Sequence, residues 1–437
     1  MRADARFDAL FDTLEAGPAF EQRGRVKGAI GTAIRVSGVT VRIGDICELI
    51  GAGGRSSLLA EVVGLREHEA ILAPLGDLRG LSGETEVLVR VGEDRVPVSQ
   101  SLLGRVLDAR LRPLDGLPPV EARAMQPLYA AAPNPMDRRR IDAQVQTGVR
   151  ALDGLLPLGR GQRIGVFAAA GGGKSTLLGT LARQAEADII VIALIGERGR
   201  EVREFIEDNL GAEGLSRSVV IVSTSDRPAL ERARAAHAAT AIAEGFRAEG
   251  RHVLLLMDSV TRFARALREI GLASGEPPVR RGFPPSVFAE LPRLFERAGC
   301  DAQGATTAIY TVLLEDEEDD PVGEEVRSLL DGHVILSRKL AARGHYPAID
   351  ILASQSRLMS QLADDGQRRA AVAVRAMLAK LDEIELLLQV GDYKPGQDML
   401  ADKAIARRAE MDAFLRQATR EISPLIMTQT LLRGFEA

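Results

Sequence analysis

The sequence predicts an α/β fold: a parallel β-sheet core, preceded by a small β-barrel and followed by a helical C-terminal domain. Three observations predict it. From residue 95 to 366, apolar β-branched runs alternate with helical stretches, the pattern of parallel strands covered by helices on both faces. From 25 to 94, short β-rich runs alternate with Gly-rich turns, which signals a small sandwich or barrel. From 367 to 437, Ala, Leu, Arg and Glu recur at helical spacing, with "VGDYKPGQD" as the main interruption.

The elements follow in order. Phe7, Leu10, Phe11 and Leu14 recur at helical spacing within 3–15, and Gly17 and Pro18 end that short amphipathic helix. Segment 1–24 thus carries an apolar stripe suited to docking, with packing on its own barrel as the alternative. Barrel strands are expected in "AIRVSGVTVRIGDICELI", "EAILAPL" and "EVLVRVG", and "GAGGRSS" (Gly51 to Ser57) reads as a hairpin turn because no helix pattern follows it. The sheet strands are expected in "RIGVFAAA", "ADIIVIALIGE", "SVVIVSTSD", "HVLLLMDS", "TTAIYTVLLE" and "HVILS". "EDEEDD" (Glu315 to Asp320) reads as a solvated loop, with a place near a metal as the alternative.

Composition narrows the function. A chain of 437 residues is long enough for roughly three domains of ~150 residues. No apolar run reaches the ~18 residues of a membrane span, and "MRADARFDALFDTLEAG" has the features of neither a signal nor a transit peptide. Cytoplasmic residence is the expectation. Cys47 and Cys300 lie far apart and read as reduced core thiols. A net charge of −5 and 4% aromatics disfavour nucleic acid as a partner.

"FAAAGGGKSTLLG", Phe167 to Gly179, carries the chemistry. It fits the phosphate-loop pattern G-x-x-x-x-G-K-[ST], except that Ala168 stands at the first glycine. A strand precedes it and a helix follows, which is the context the motif needs. Gly171, Gly172 and Gly173 let the backbone curl so that N–H groups point at phosphate oxygens. The helix N-terminus adds partial positive charge. Lys174 can reach the β- and γ-phosphates, and the Ser175 hydroxyl can ligate Mg²⁺. Ala170 and Thr176 flank the cradle. Ala168 is tolerable there if its φ is negative.

Two acids complete the pattern. "LLLMDS" is an apolar strand ending in Asp258, an acid placed at the sheet edge where it can hold Mg²⁺ through water. "IGERGRE" follows another apolar strand, and its Glu197 is the candidate to orient and polarise the attacking water. Glu201, one turn on, can reach the metal's water shell; the alternative is a helix-start carboxylate favoured by the dipole.

Longer segments carry a family resemblance. "GERGREVREF", "MDSVTRFARALREI", "GEPPVRRGFPPSVFAELPRLFERAG", "AIYTVLLEDEEDDPVGEEVRSLLDGHVILSRKLA" and "GHYPAIDILASQSR" resemble the rotary-type ATPases. Within that group they are most similar to the export ATPase of type III secretion systems; the secretion and flagellar export branch resembles this chain in having alanine where Ala168 stands. The resemblance runs from about residue 25 to the C-terminus. It implies a RecA-like core, ATP and Mg²⁺ as ligands, and a homohexameric ring. It implies catalytic roles for Lys174, Glu197, Arg198, Arg262 and Arg357, with Arg357 in "ASQSR" as an arginine finger for the neighbouring subunit. It implies that Tyr346 in "HYPAID" packs on adenine; a half-buried core tyrosine is the alternative. Implied partners are a stator protein through the N-terminal helix, a coiled-coil stalk through the 275–290 loop, chaperone–effector complexes through the C-terminal domain, and an export gate at the bacterial inner membrane. The flagellar export ATPase is the near alternative. A hexameric RNA translocase is disfavoured because residues 25–94 hold no Phe, Tyr or Trp. A regulatory subunit that binds ATP without hydrolysing it is disfavoured by Glu197.

Overall fold

The computed structural model describes residues 22–51, 57–90, 94–121, 124–169, 171–314 and 320–436. The expected N-terminal helix, the centre of "GAGGRSS", Ala170 and Glu315–Asp319 lie outside the described residues. The chain divides into two compact units. One holds residues up to Asp94 with Pro228–Leu230 and Arg268–Pro277; the other holds Arg95–Arg227, Glu231–Leu267 and Pro278–Ala437.

The first unit contains a closed six-stranded barrel, which resolves the choice between sandwich and barrel. Its strands are β1 (Arg23–Ile30), β2 (Ala33–Ser37), β3 (Ile46–Ile50), β4 (Ser57–Arg66), β5 (Glu69–Pro74) and β6 (Glu86–Arg90), in the order β1-β2-β5-β4-β3-β6. Alternate residues point inward: Val26, Ile34, Val36, Cys47, Leu49, Val62, Leu72 and Val87 fill the interior while charged residues face out. Bulges at Val26/Gly28 and Val62/Gly64 bend the strands as closure requires. β3 and β4 pair antiparallel from Ile50–Ser57 onward, on either side of the "GAGGRSS" segment.

The second unit is built on a nine-stranded sheet. Its main path uses β7 (Val106–Asp108), β8 (Arg163–Ala168), β9 (Ile189–Ile195), β10 (Ser218–Ser223), β11 (His252–Asp258), β12 (Ala305–Leu313), β13 (Gly332–Leu336) and β14 (Ile349–Ser356). The spatial order is β14-β13-β8-β12-β11-β9-β10-β7. Every neighbour along it is parallel except the edge strand β14, which runs antiparallel to β13. All residues of β9, β10 and β11 are buried, as continuous apolar runs require in a sheet covered on both faces.

Helices connect the strands: α1 (Lys174–Gln184), α2 (Gly199–Glu204), α3 (Ala229–Ala248), α4 (Val260–Ala273), α5 (Pro285–Glu296) and α6 (Pro321–Leu329). Asp320, the last acid of "EDEEDD", caps α6 by accepting from the Val322 and Gly323 N–H groups. The loop expected over 275–290 is shorter than that, because Pro285 opens α5; proline is preorganised for a first helical position.

The C-terminal helices are α7 (Asp365–Glu383), α8 (Glu385–Val390), α9 (Met399–Leu415) and α10 (Leu425–Arg433). Asp364 and Asp398 cap α7 and α9. Gly391, at φ 75°, ends α8 inside "VGDYKPGQD". Ala370, Val374, Met377, Met411 and Phe414 join the same apolar core as the sheet. No helix among the described residues is long and apolar enough to cross a membrane.

Candidate active site

The site forms where β8 stops. Ala168 is the last residue of the strand, 1% exposed, and is not among the residues with positive φ, so an alanine there costs nothing. Gly171 (φ 81°) and Gly173 (φ 82°) adopt the left-handed region that favours glycine, and Gly173 caps α1. The turn therefore delivers Lys174 at the first residue of the helix.

Parallel strands bring the acids to the same edge. β11 ends at Asp258 and β9 runs out through Gly196 into Glu197. Lys174 Nζ lies 2.5 Å from Asp258 Oδ1 and 3.5 Å from Glu197 Oε1. All three side chains are nearly buried, at 11%, 3% and 14% exposure, so the pairing works in a poorly screened environment. Burial disfavours the Lys174 cation, but the Asp258 and Glu197 carboxylates outweigh it and raise its pKa. Burial, then the Asp258 charge, lifts Glu197 to about 7, against the pull of Lys174.

Two polar atoms here are buried without a hydrogen bond: Glu197 Oε1 and Arg262 Nε. Arg262 sits in the first turn of α4 and packs on Gly196, where an added Cβ would meet the Arg262 Cβ at 3.0 Å. Any side chain at 196 would displace that arginine, and the φ of 68° also favours glycine.

The oxygen donors around the turn are the exposed Ser175 hydroxyl and the carboxylates of Asp258, Glu197 and Glu201. Hard oxygen ligands of this kind suit Mg²⁺ rather than a softer metal; among the described residues no three acids stand close enough to hold an ion by themselves. Glu201 lies in the first turn of α2. Burial opposes, but a hydrogen bond with Glu197 and the Arg198 charge lower its pKa. Arg198 itself turns outward: it is 78% exposed and pairs with Glu201 at 3.3 Å.

Tyr346 stands beside the turn, with its ring 3.6 Å from where a Gly173 Cβ would be. It is 45% exposed, so it is not a core tyrosine. It lines a cavity of about 40 Å³ together with Thr176, Thr180, Gln417 and Thr419. The sequence reading missed the wall from Gln417 to Thr419, because nothing local in "RQATRE" marks it. A hydrogen bond from Gln417 N to Tyr346 O (2.9 Å) fixes it. A roomier cavity of about 470 Å³ lies between β14 and the C-terminal helices and holds none of the predicted site residues.

Also missed is Thr311 in β12. Its hydroxyl donates to Asp258 Oδ1 at 2.8 Å. The only sequence signal is a threonine inside the apolar run "AIYTVLL", and only the sheet order reveals what it faces.

Arg357 is not at this site. It follows β14, exposed, and its Nη2 donates to the Arg327 carbonyl at 3.3 Å. Its backbone N–H donates to Asp331 O, beside the start of β8, whereas the phosphate turn follows the end of β8. The five steps between the six residues of β8, at about 3.3 Å each, put roughly 16 Å between the two ends.

Fold and site together define a P-loop ATPase core between a barrel and a helical domain. Comparison with known proteins agrees. Residues 148–356 match the nucleotide-binding domain of the ATP synthase alpha/beta family, and 363–434 match the T3SS EscN ATPase C-terminal domain. The chain is 56% identical over 410 residues to a type 3 secretion system ATPase of Xanthomonas euvesicatoria, covering 94% of this chain and 93% of that one. A flagellum-specific ATP synthase of Bacillus subtilis is 46% identical, over 97% of each chain. The solved structure of the assembled ATPase EscN from the enteropathogenic E. coli type III secretion system superposes with a TM-score of 0.90 at 47% identity, over 95% of this chain and 100% of that one. The same ATPase has been solved in complex with its central stalk EscO, with a TM-score of 0.87. This chain belongs to the ATP synthase alpha/beta family, in its type 3 secretion system ATPase branch, and it is an ATPase.

Proposed function

We propose that this chain works as a homohexameric, Mg²⁺-dependent ATPase whose turnover powers type III protein secretion. One observation carries the reading: a buried, half-satisfied Lys174–Asp258–Glu197 site, with the arginine it lacks held at the far end of the same sheet.

When ATP enters, the N–H groups of Gly171 to Thr176 hold the phosphates and Lys174 exchanges its carboxylate partners for them. Ser175 and Asp258 would hold Mg²⁺, with Glu201 in its outer shell; bound there, the ion neutralises charge on the β- and γ-phosphate oxygens. Glu197 orients the attacking water and accepts its proton. The unsatisfied Arg262 Nε offers a donor toward the γ-phosphate side. Tyr346 packs on the adenine ring.

Arg357 acts in the neighbouring subunit. Its own sheet keeps it from its own nucleotide, but a ring would place it at the next site, where such a finger is worth roughly 10³–10⁵ in rate. The relative solved assembled and with its stalk supports a ring on a stalk. The stretch 275–290 would face that stalk, segment 1–24 a stator, and the C-terminal helices chaperone–effector complexes. Work would be delivered to an export gate at the cytoplasmic face of the inner membrane, releasing chaperones and feeding unfolded effectors.

The test is specific ATPase activity against protein concentration. A steep rise is expected, because each site is completed by a neighbour. A rate per subunit that stays flat from dilute to concentrated protein would contradict the reading.

A further inference from the structure

Asp258 has two partners in this structure, and one of them is needed elsewhere during catalysis. Lys174 Nζ and the Thr311 hydroxyl both contact Oδ1, at 2.5 and 2.8 Å; among the described residues, none falls on Oδ2. Thr311 is wholly buried in β12, the strand between the phosphate-turn strand β8 and the Asp258 strand β11. Its single hydroxyl hydrogen can also reach Met257 O, but at 3.2 Å; the carboxylate is nearer and charged, so it is the better acceptor. A second threonine fixes the same junction. Thr261 Oγ1 accepts from the Leu313 N–H at 2.8 Å, tying the end of β12 to the first turn of α4, next to Arg262.

We infer that Thr311 is a positioning residue: it anchors Asp258 Oδ1 while Lys174 moves to the phosphates, and so keeps Oδ2 presented to the metal. The inference rests on the proposed exchange of Lys174. A carboxylate with 3% exposure that lost Lys174 would be left with a poorly satisfied oxygen and a free rotamer. The threonine, unlike the lysine, has no reason to leave. Its bond to Asp258 therefore spans the catalytic cycle.

The test compares Thr311→Val, close in shape but without the hydroxyl, with Thr311→Ser, which keeps it. The readout is equilibrium binding of methylanthraniloyl-ADP to the full chain, with Mg²⁺ and with EDTA. In the valine variant the tightening caused by Mg²⁺ should shrink about tenfold, the low end for losing a partner that orients a metal ligand, with EDTA affinity unchanged. The Mg²⁺ concentration for half-maximal hydrolysis should rise in step, and serine should restore both. Wild-type tightening in the valine variant overturns the inference, as does an equal loss in Mg²⁺ and EDTA, which marks a packing defect. Should the valine variant not fold, Thr311→Ala gives the same comparison. Asp258→Asn separates the two layers. If it keeps full tightening and turnover, the reading of Asp258 itself fails. If it loses both while Thr311→Val loses neither, only the role of Thr311 fails.

Discussion

The Arg297–Glu244 pair and the Lys174–Asp258 pair are both buried in the same unit, yet only the first is complete. Arg297 Nε and Nη2 hold the two Glu244 oxygens at 2.9 and 2.6 Å, and Nη1 donates to Leu128 O at 2.9 Å. Its own carbonyl accepts from Arg247, which in turn holds Asp301 at 2.6 Å. Every group has a partner, as a buried charge in a stable core requires. Around Lys174, in contrast, Glu197 Oε1 has only the 3.5 Å ion pair with Lys174, and among the described residues neither it nor the buried Arg262 Nε makes a hydrogen bond. Leaving such groups unmade costs ~1–3 kcal/mol each. The difference teaches where to look for chemistry: the incomplete cluster waits for a ligand, and the complete one holds the fold.

The comparison can be broken in graded ways. The largest effect belongs to Glu197→Gln, which removes the base but keeps the shape. Turnover should fall ~10²–10⁴-fold while nucleotide binding and the thermal midpoint hold, as measured by phosphate release, fluorescent-nucleotide titration and a melt. Retained turnover would place the water-activating group elsewhere. Next, Arg297→Ala should destabilise the protein by ~3–5 kcal/mol, read as a lowered denaturant midpoint, because Glu244 is left charged and buried. A midpoint unchanged from wild type would mean that water reaches the cluster.

The last test, with the smallest effect per pH unit, sharpens the contrast through pH. His237 is fully buried between Tyr129 and Phe263, with ring centroids at 4.8 and 5.6 Å. Burial, then the Arg297 and Arg234 charges, lowers its pKa from 6.5 to about 3. Glu290 Oε1 lies 3.6 Å away, but burial pushes that carboxyl toward its neutral form. The unfolded chain therefore binds this proton first. Between pH 6.5 and about 3, stability should fall as pH falls, by ~1.4 kcal/mol per unit from this residue. His237→Phe should flatten the acid limb of a melting-temperature profile; an unchanged slope would show that the histidine charges without cost.

Much of this was legible in residue order alone. Six apolar runs mark six of the sheet strands, because a strand buried on both faces is mostly apolar, its few polar residues needing partners inside. The phosphate turn, Asp258 and Glu197 follow from strand ends, since parallel strands deliver their C-termini to one edge. β1 and β4 were harder: β1 carries three Arg/Lys residues facing out, and Gly64 breaks the alternation of β4 at a bulge. The edge strand β14 escaped because half of its residues are polar: Asp350, Ser354, Gln355 and Ser356. Thr311 and the Gln417–Thr419 wall are invisible without the sheet order and the packing of the C-terminal helices, which are long-range facts. The outward turn of Arg198 is likewise a rotamer choice that spacing does not encode.

The central claim is that each site is completed by the next subunit. The most direct measurement mixes Arg357→Ala with Lys174→Ala, each inactive alone, and follows ATP hydrolysis. In mixed rings an intact phosphate site on one subunit meets an intact finger on its neighbour, so activity should return at a fraction set by the mixing ratio. No recovery at any ratio, in mixtures that assemble like the wild type, would mean that Arg357 does not act across the interface.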